Sequence, residues 1–423
     1  MKKSILTLFC CLTMTAAVTA QETELTSVEQ LEQRTETLES TVKKQQKLKV
    51  SGYIQAQYQY AEKDDDGVSR KVGEGINAWE KAEEDGYHRF GIRRGRIKFT
   101  YDEKLTQGVI QFDVTEAGVS FKDVYFKAKD PLFGTSTITL GVFDRPFGHE
   151  ITYSSSRRES PERSRIFQRL FPDERDLGGM LTLQADKNSP WNILKLDAGL
   201  FAGNGIKKTW DSHGDFIGRL SASKTIGSDM EISGGISAYI GGVRMMNDTV
   251  YVVKNNVWEI DSDTGNKGKF AKRQYFGADF QFSTVTVAGL TQLRAEYIFG
   301  EHPGVSNGMY RSLTALLATT AKTYKRNING GYAIITQDFG TLPLTAVVKY
   351  DWFNQNTKLS GDGAKSTGDL TFNTFGLGLL WRVAPDLKLT AYYDIVSNKK
   401  SANIAKGEDL KDNVFTLRLQ YKF

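Results

Sequence analysis

The chain has 423 residues, 25% of them charged, with a net charge of +5. That balance excludes the strongly basic surface of a nucleic-acid binder. No stretch after residue 20 is apolar for the roughly 18 residues a membrane helix needs. A helical membrane protein is therefore not expected, but a transmembrane barrel stays open, because its strands are apolar on one face only. The 40 Gly, 8 Pro and 11% aromatic residues fit a strand-rich chain.

Residues 1–20 read as a secretory signal. Lys2 and Lys3 supply the charged end, Ile5 to Met14 the apolar core, and Val18, Thr19 and Ala20 the small residues of a cleavage site. Both cysteines, Cys10 and Cys11, leave with it, so the mature chain is expected to have neither a disulfide framework nor a thiol site. Loss of Lys2 and Lys3 lowers the net charge to about +3.

Residues 21–47 are polar and contain no Gly or Pro. Val28, Leu31, Leu38 and Val42 fall on heptad core positions, with Thr35 and Gln45 completing the pattern. The spacing predicts a short periplasmic coiled-coil helix, weak alone and implying an oligomer.

From Lys49 the period becomes two. Val50, Gly52, Ile54, Ala56, Tyr58 and Tyr60 alternate with Ser51, Tyr53, Gln55, Gln57 and Gln59. The pattern recurs to the C-terminus, where Phe415, Leu417, Leu419, Tyr421 and Phe423 oppose Thr416, Arg418, Gln420 and Lys422. Connections alternate in length. Asp102–Thr106, Lys129–Gly134 and Ala384–Asp386 are short; Ala61–Tyr87, Asp144–Arg175 and Arg244–Ala271 are long. About sixteen strands with short turns at one end and long loops at the other predict an all-β fold, a transmembrane antiparallel barrel over residues 48–423.

Two stretches carry the candidate site. On the second strand, Phe90 and Ile92 share one parity while Ile97, Phe99 and Tyr101 share the other. A β-bulge near Arg93 and Arg94 would turn both arginines to the polar face, above Arg96 and Lys98. The second stretch is 144–175, a connection too long and irregular to be a plain linker. It holds seven Arg (Arg145, Arg157, Arg158, Arg163, Arg165, Arg169 and Arg175), no Lys, and six interleaved acids. The planar guanidinium fork matches carboxylate or phosphate. Such arginines either stiffen the loop by pairing with its acids or face a solute.

The sequence shows no Walker loop, dinucleotide-binding glycine pattern or HExxH motif, so neither cofactor nor catalytic group is expected. Asp261 to Asn266 begins like a calcium loop but has Lys272 where the bidentate Glu belongs. Asp64-Asp65-Asp66-Gly67 reads as a loop tip, and the four histidines are scattered.

The chain resembles the phosphate-selective porin O and P family. Arg93-Arg94-Gly95-Arg96-Ile97, the run Leu140 to Glu150, Pro161-Glu162-Arg163-Ser164 and Arg175-Asp176-Leu177-Gly178 carry the resemblance, which is specific over about residues 88–185. It implies a sixteen-stranded homotrimer in the Gram-negative outer membrane, with residues 144–175 as a constriction loop inside the barrel. It also implies that Arg93 and Arg94 lie at the pore wall. Tyr421-Lys422-Phe423 looks like the aromatic ending read by the barrel-insertion machinery. The family's ladder of cations is not matched: Lys195 stands by Asp197, Arg294 by Glu296, Lys349 by Asp351 and Lys388 by Asp394. The expected function is passive diffusion of small hydrophilic solutes, with inorganic or organic anions preferred. An anchoring or adhesion barrel and a barrel hydrolase are the alternatives.

Overall fold

The computed structural model describes residues 34–35, 47–62, 87–207, 213–261, 265–306, 308–309, 322–398 and 413–423. The leader, Asp64–Gly67 and most of the heptad stretch lie outside them; residues 34–35 are helical.

Alternation of side chains dictates strands, and sixteen of them form one closed antiparallel barrel. They are β1 (Leu48–Ala61), β2 (Tyr87–Asp102), β3 (Thr106–Thr115), β4 (Gly118–Lys129), β5 (Ser136–Asp144), β6 (Arg175–Gln184), β7 (Leu194–Phe201) and β8 (Asp215–Ile226). The second half comprises β9 (Met230–Arg244), β10 (Phe270–Thr286), β11 (Gly289–Val305), β12 (Thr323–Asp338), β13 (Leu344–Asn354), β14 (Thr371–Ala384), β15 (Leu387–Asn398) and β16 (Val414–Lys422). Each strand pairs with the next, and β1 closes on β16 from Tyr53 opposite Lys422 to Ala61 opposite Val414. Closure removes every unpaired edge, which hydrocarbon requires.

The two faces divide as the pattern requires. Ile54, Phe99, Leu140, Leu181, Ile236, Phe280, Val348, Leu377 and Leu419 are exposed outward. Gln55, Arg96, Gln111, Asp197, Asp279, Lys349 and Arg418 are buried inside. An exposed apolar belt around a buried polar interior is the arrangement a lipid-facing barrel needs. The switch of parity on β2 is present: Phe90 and Ile92 face out, then Ile97, Phe99 and Tyr101, while Arg94 and Arg96 are both buried. Turn lengths alternate with one exception. β3 and β4 are joined at the long-loop end by residues 116–117 alone, with Gly118 at φ +119°.

One expectation is corrected. The interior is not polar throughout. Phe201, Ile217, Tyr239, Tyr275, Ile298, Ile328 and Tyr332 line part of the wall and are buried. They receive Phe147, Ile166, Phe167 and Phe171 of the loop between β5 and β6, which are at most 1% exposed. Each such side chain contributes about 1.5–3 kcal/mol of burial. Residues 144–175 therefore carry an apolar core of their own, and this core fixes them inside the barrel.

Candidate functional site

The loop leaves β5 at Asp144 and turns at once. Arg145 Nε donates to Asp176 Oδ2 at 3.1 Å, tying the first residue of the loop to the strand at its far end. Gly148 sits at φ +62°, a backbone region that favours glycine, and its N–H donates to Ser237 Oγ at 3.0 Å. A Cβ there would collide with the Glu296 carboxylate. That carboxylate accepts the N–H groups of His149 and Glu150, both at 3.1 Å, so β11 holds the loop by its backbone. Further on, Ser164 gives its N–H and its hydroxyl to Glu150 at 3.0 Å, which starts a short helix, Arg165–Leu170. The Arg165 N–H donates to Asp351 Oδ1 on β13 at 3.3 Å. Phe171 then packs on Phe147 (5.0 Å between centroids), Tyr239 and Tyr275.

The middle of the loop meets the opposite wall. The Ser155 hydroxyl bonds Tyr53, and its carbonyl accepts from Gln55 Nε2 at 3.1 Å. The Ser156 carbonyl accepts from Gln420 Nε2 at 2.9 Å, and that of Pro161 from Arg418 Nη1 at 2.6 Å. Glu162 is the centre of this seam. Arg93 grips it with two bonds, Nε to Oε1 at 2.8 Å and Nη2 to Oε2 at 2.9 Å. Arg94 Nη2 reaches Oε2 at 3.1 Å, and Arg418 Nη2 reaches Oε1 at 2.9 Å. Burial works to raise the Glu162 pKa, but Arg93, Arg94 and Arg418 outweigh it and hold the carboxyl well below its usual range.

The arginines singled out from sequence divide by role. Arg93, Arg94, Arg96, Arg145 and Arg163 come together around one cavity. Arg163 is fixed by carbonyls of its own loop, with Nε to Glu150 O at 2.8 Å and Nη2 to Ile151 O at 2.9 Å, and it pairs with Glu174. Arg165 turns to the wall and stacks over Phe372 at 4.3 Å. Arg157 is exposed, Arg169 is half-buried on the short helix, and neither lines the cavity. Arg158 is buried, and none of its three side-chain nitrogens has a hydrogen-bond partner. Burial, followed by the nearby charge of Arg94, pushes its pKa down to about 10. Arg175 pairs with Asp123 at 2.9 Å and Asp144 at 3.2 Å.

Sequence adjacency misplaced some partners. Arg294 pairs with Glu159 of the loop, not with Glu296. Lys388 Nζ donates to the carbonyls of Ser156 and Arg158 at 3.4 and 3.3 Å. Lys195 with Asp197 at 2.8 Å, and Lys349 with Asp351 at 3.8 Å, do pair along their strands. Arg418, Lys122 and Arg273 were not singled out, yet they belong to the site. Closure of β16 onto β1 was the available signal for Arg418, since it brings the last polar row beside the first.

Two cavities flank the loop. The one toward the long-loop end holds about 450 Å³. Its acids are Asp113, Glu162, Asp173 and Glu174. Its cations are twice as many: Arg93, Arg94 and Arg96 from β2, Lys122 from β4, Arg145 and Arg163 from the loop, Lys207, and Arg273 from β10. The second cavity, about 290 Å³, opens toward the short-turn end. It sets Arg96, Lys98, Arg163, Arg175 and Lys422 against Asp123 and Asp144. Arg96 and Arg163 line both, so this pair of side chains stands between the two spaces. Arg96 is itself held by Asp113 at 3.4 Å and by Ser155 Oγ at 3.2 Å. Fixed guanidiniums beside a cavity can replace part of an anion's hydration.

No protein-family model matches the chain, and no curated protein does. Solved structures do resemble it. OprB of Pseudomonas putida is similar with a TM-score of 0.56 at 10% identity, over 92% of this chain and 96% of that one. An anion-selective porin from Comamonas acidovorans gives 0.54 at 10% identity, over 89% and 99%. The outer-membrane channel DcaP of Acinetobacter baumannii gives 0.52 at 10% identity, over 89% and 97%. At these identities the likeness is one of fold.

Proposed function

We propose that this chain is an outer-membrane porin that passes small hydrophilic solutes by diffusion and prefers anions. The observation that carries the reading is that cations outnumber acids in both cavities, with Arg96 and Arg163 between them; we take that pair as the waist of the diffusion path. The exposed apolar belt supports a place in the lipid bilayer, and the porin-like fold supports the Gram-negative outer membrane. Phosphate-like anions are candidate solutes by resemblance to the phosphate-selective porin O and P family, but its ladder of cations is not matched here, so phosphate selectivity is not carried over. A homotrimer, a periplasmic coiled coil at residues 21–47, and recognition of Phe423 by the insertion machinery belong to the same reading. Phe423 presents an exposed ring beside Tyr421, which suits that last role.

The test is single-channel current in a planar bilayer under a KCl gradient, followed by titration with phosphate. A reversal potential favouring chloride supports the reading, and block by phosphate supports its finer part. Folded protein that carries no current overturns it in favour of an anchoring barrel.

A further inference from the structure

Resting on that reading, we propose that the Arg93–Arg94–Arg418 cluster is a binding site for small carboxylates, occupied at rest by the chain's own Glu162.

Four hydrogen bonds from three guanidiniums end on the two oxygens of Glu162. The arginines come from strands far apart in sequence, β2 and β16, whereas the carboxylate arrives on the loop. The cationic half is therefore part of the rigid wall, and the anionic half is tethered to a separate element. Arg93 meets the carboxylate with two parallel bonds, an arrangement that selects a planar two-oxygen anion over a spherical one.

The charge is not closed by Glu162. Arg94 and Arg418 are 2% and 5% exposed, and three cations share one anion there. Arg158, 6% exposed and with its nitrogens unpartnered, adds its charge close to Arg94 and Glu162. Gln55 accepts a further Arg94 bond at 2.9 Å and Gln57 accepts from Arg418 Nε at 2.9 Å, but both are neutral. Such an excess of positive charge favours an anion beside or in place of Glu162.

Access is present. Arg93, Arg94 and Glu162 all line the 450 Å³ cavity toward the long-loop end. An entering carboxylate meets Arg93 and Arg94 at the edges that Glu162 uses, while Arg418 does not line that cavity. Glu162 then acts as a tethered competitor, keeping affinity low enough for release while leaving the site selective. A tethered group competes at an effective concentration in the millimolar range. At an effective concentration of about 10 mM against an intrinsic dissociation constant of about 1 mM, its removal is expected to tighten apparent binding by about tenfold.

The experiment uses the full-length protein in planar bilayers and measures block of chloride current by succinate, with inorganic phosphate as the comparison. Glu162→Gln keeps the shape and removes the charge. The expected result is a half-blocking succinate concentration about tenfold lower, with phosphate changed less. Glu162→Asp keeps the charge on a shorter arm and is expected to shift the half-blocking concentration in the same direction but less. Unchanged or weaker succinate block in a Glu162→Gln channel that still prefers chloride overturns the site while leaving the porin. A larger gain for phosphate than for succinate overturns the carboxylate class. If Glu162→Gln does not insert, an unshifted Glu162→Asp channel overturns the proposal by itself. Absence of current from wild-type protein refutes the porin reading instead.

Discussion

Arg96→Gln removes one of the two guanidiniums at the waist. A sphere of 450 Å³ has a radius of about 5 Å, so an ion at the centre of the larger cavity sits about that far from its lining. At this distance and the permittivity of water, a unit charge is worth about 0.8 kcal/mol. Screening at 0.1 M salt leaves about 0.5 kcal/mol. The change has opposite sign for chloride and potassium, so their permeability ratio should fall about fivefold. At 1 M salt the Debye length is about 3 Å, and the same substitution should change the ratio less than about twofold. Asp113 loses its partner in the variant, which acts in the same direction. Reversal potentials under KCl gradients at the two ionic strengths measure both quantities. A ratio that stays constant, or that changes equally at low and high salt, would refute the placement of Arg96 in the conducting path.

Phe171→Ala removes the ring that Phe147, Tyr239 and Tyr275 share, at a cost to loop docking of about 3–5 kcal/mol. Open-channel conductance and current noise should both rise, while heat resistance of the barrel on gels stays the same. His149 gives a pH dependence. Burial and then Arg294 lower its pKa to about 4, from an ordinary 6.5. The docked loop binds the proton less readily than a released one, so docking is fully favoured above about pH 6.5 and weakens down to pH 4. Below that no further loss follows from this group. Closures and noise should increase across that window, and His149→Gln should flatten the profile. Gly148→Ala places a methyl group against the Glu296 carboxylate at a left-handed φ, so the loop should fail to seat and chloride preference should drop.

The barrel was legible because a period of two is local. Ile54, Gln55, Ala56 and Gln57 declare their faces without knowing their partners. The parity switch on β2 was equally local, and the positions of Arg93 and Arg94 followed from it. The length and arginine content of 144–175 marked it as more than a plain linker. Which arginine meets which acid was not legible, because those pairs span the barrel. Glu162 lies 256 residues from Arg418, and Glu159 lies 135 residues from Arg294. The aromatic wall around Tyr239 and Tyr275 also escaped notice. Its inward rows read as ordinary strand residues until the loop's phenylalanines are set against them.

The contacts between the loop and β16 have a consequence for assembly. Arg418 and Gln420 hold Pro161, Glu162 and Ser156, and they sit on the strand whose pairing with β1 completes the cylinder. A nascent barrel with its first and last strands apart lacks half the clamp on its internal loop. Zipping the seam and seating the internal loop are then one event.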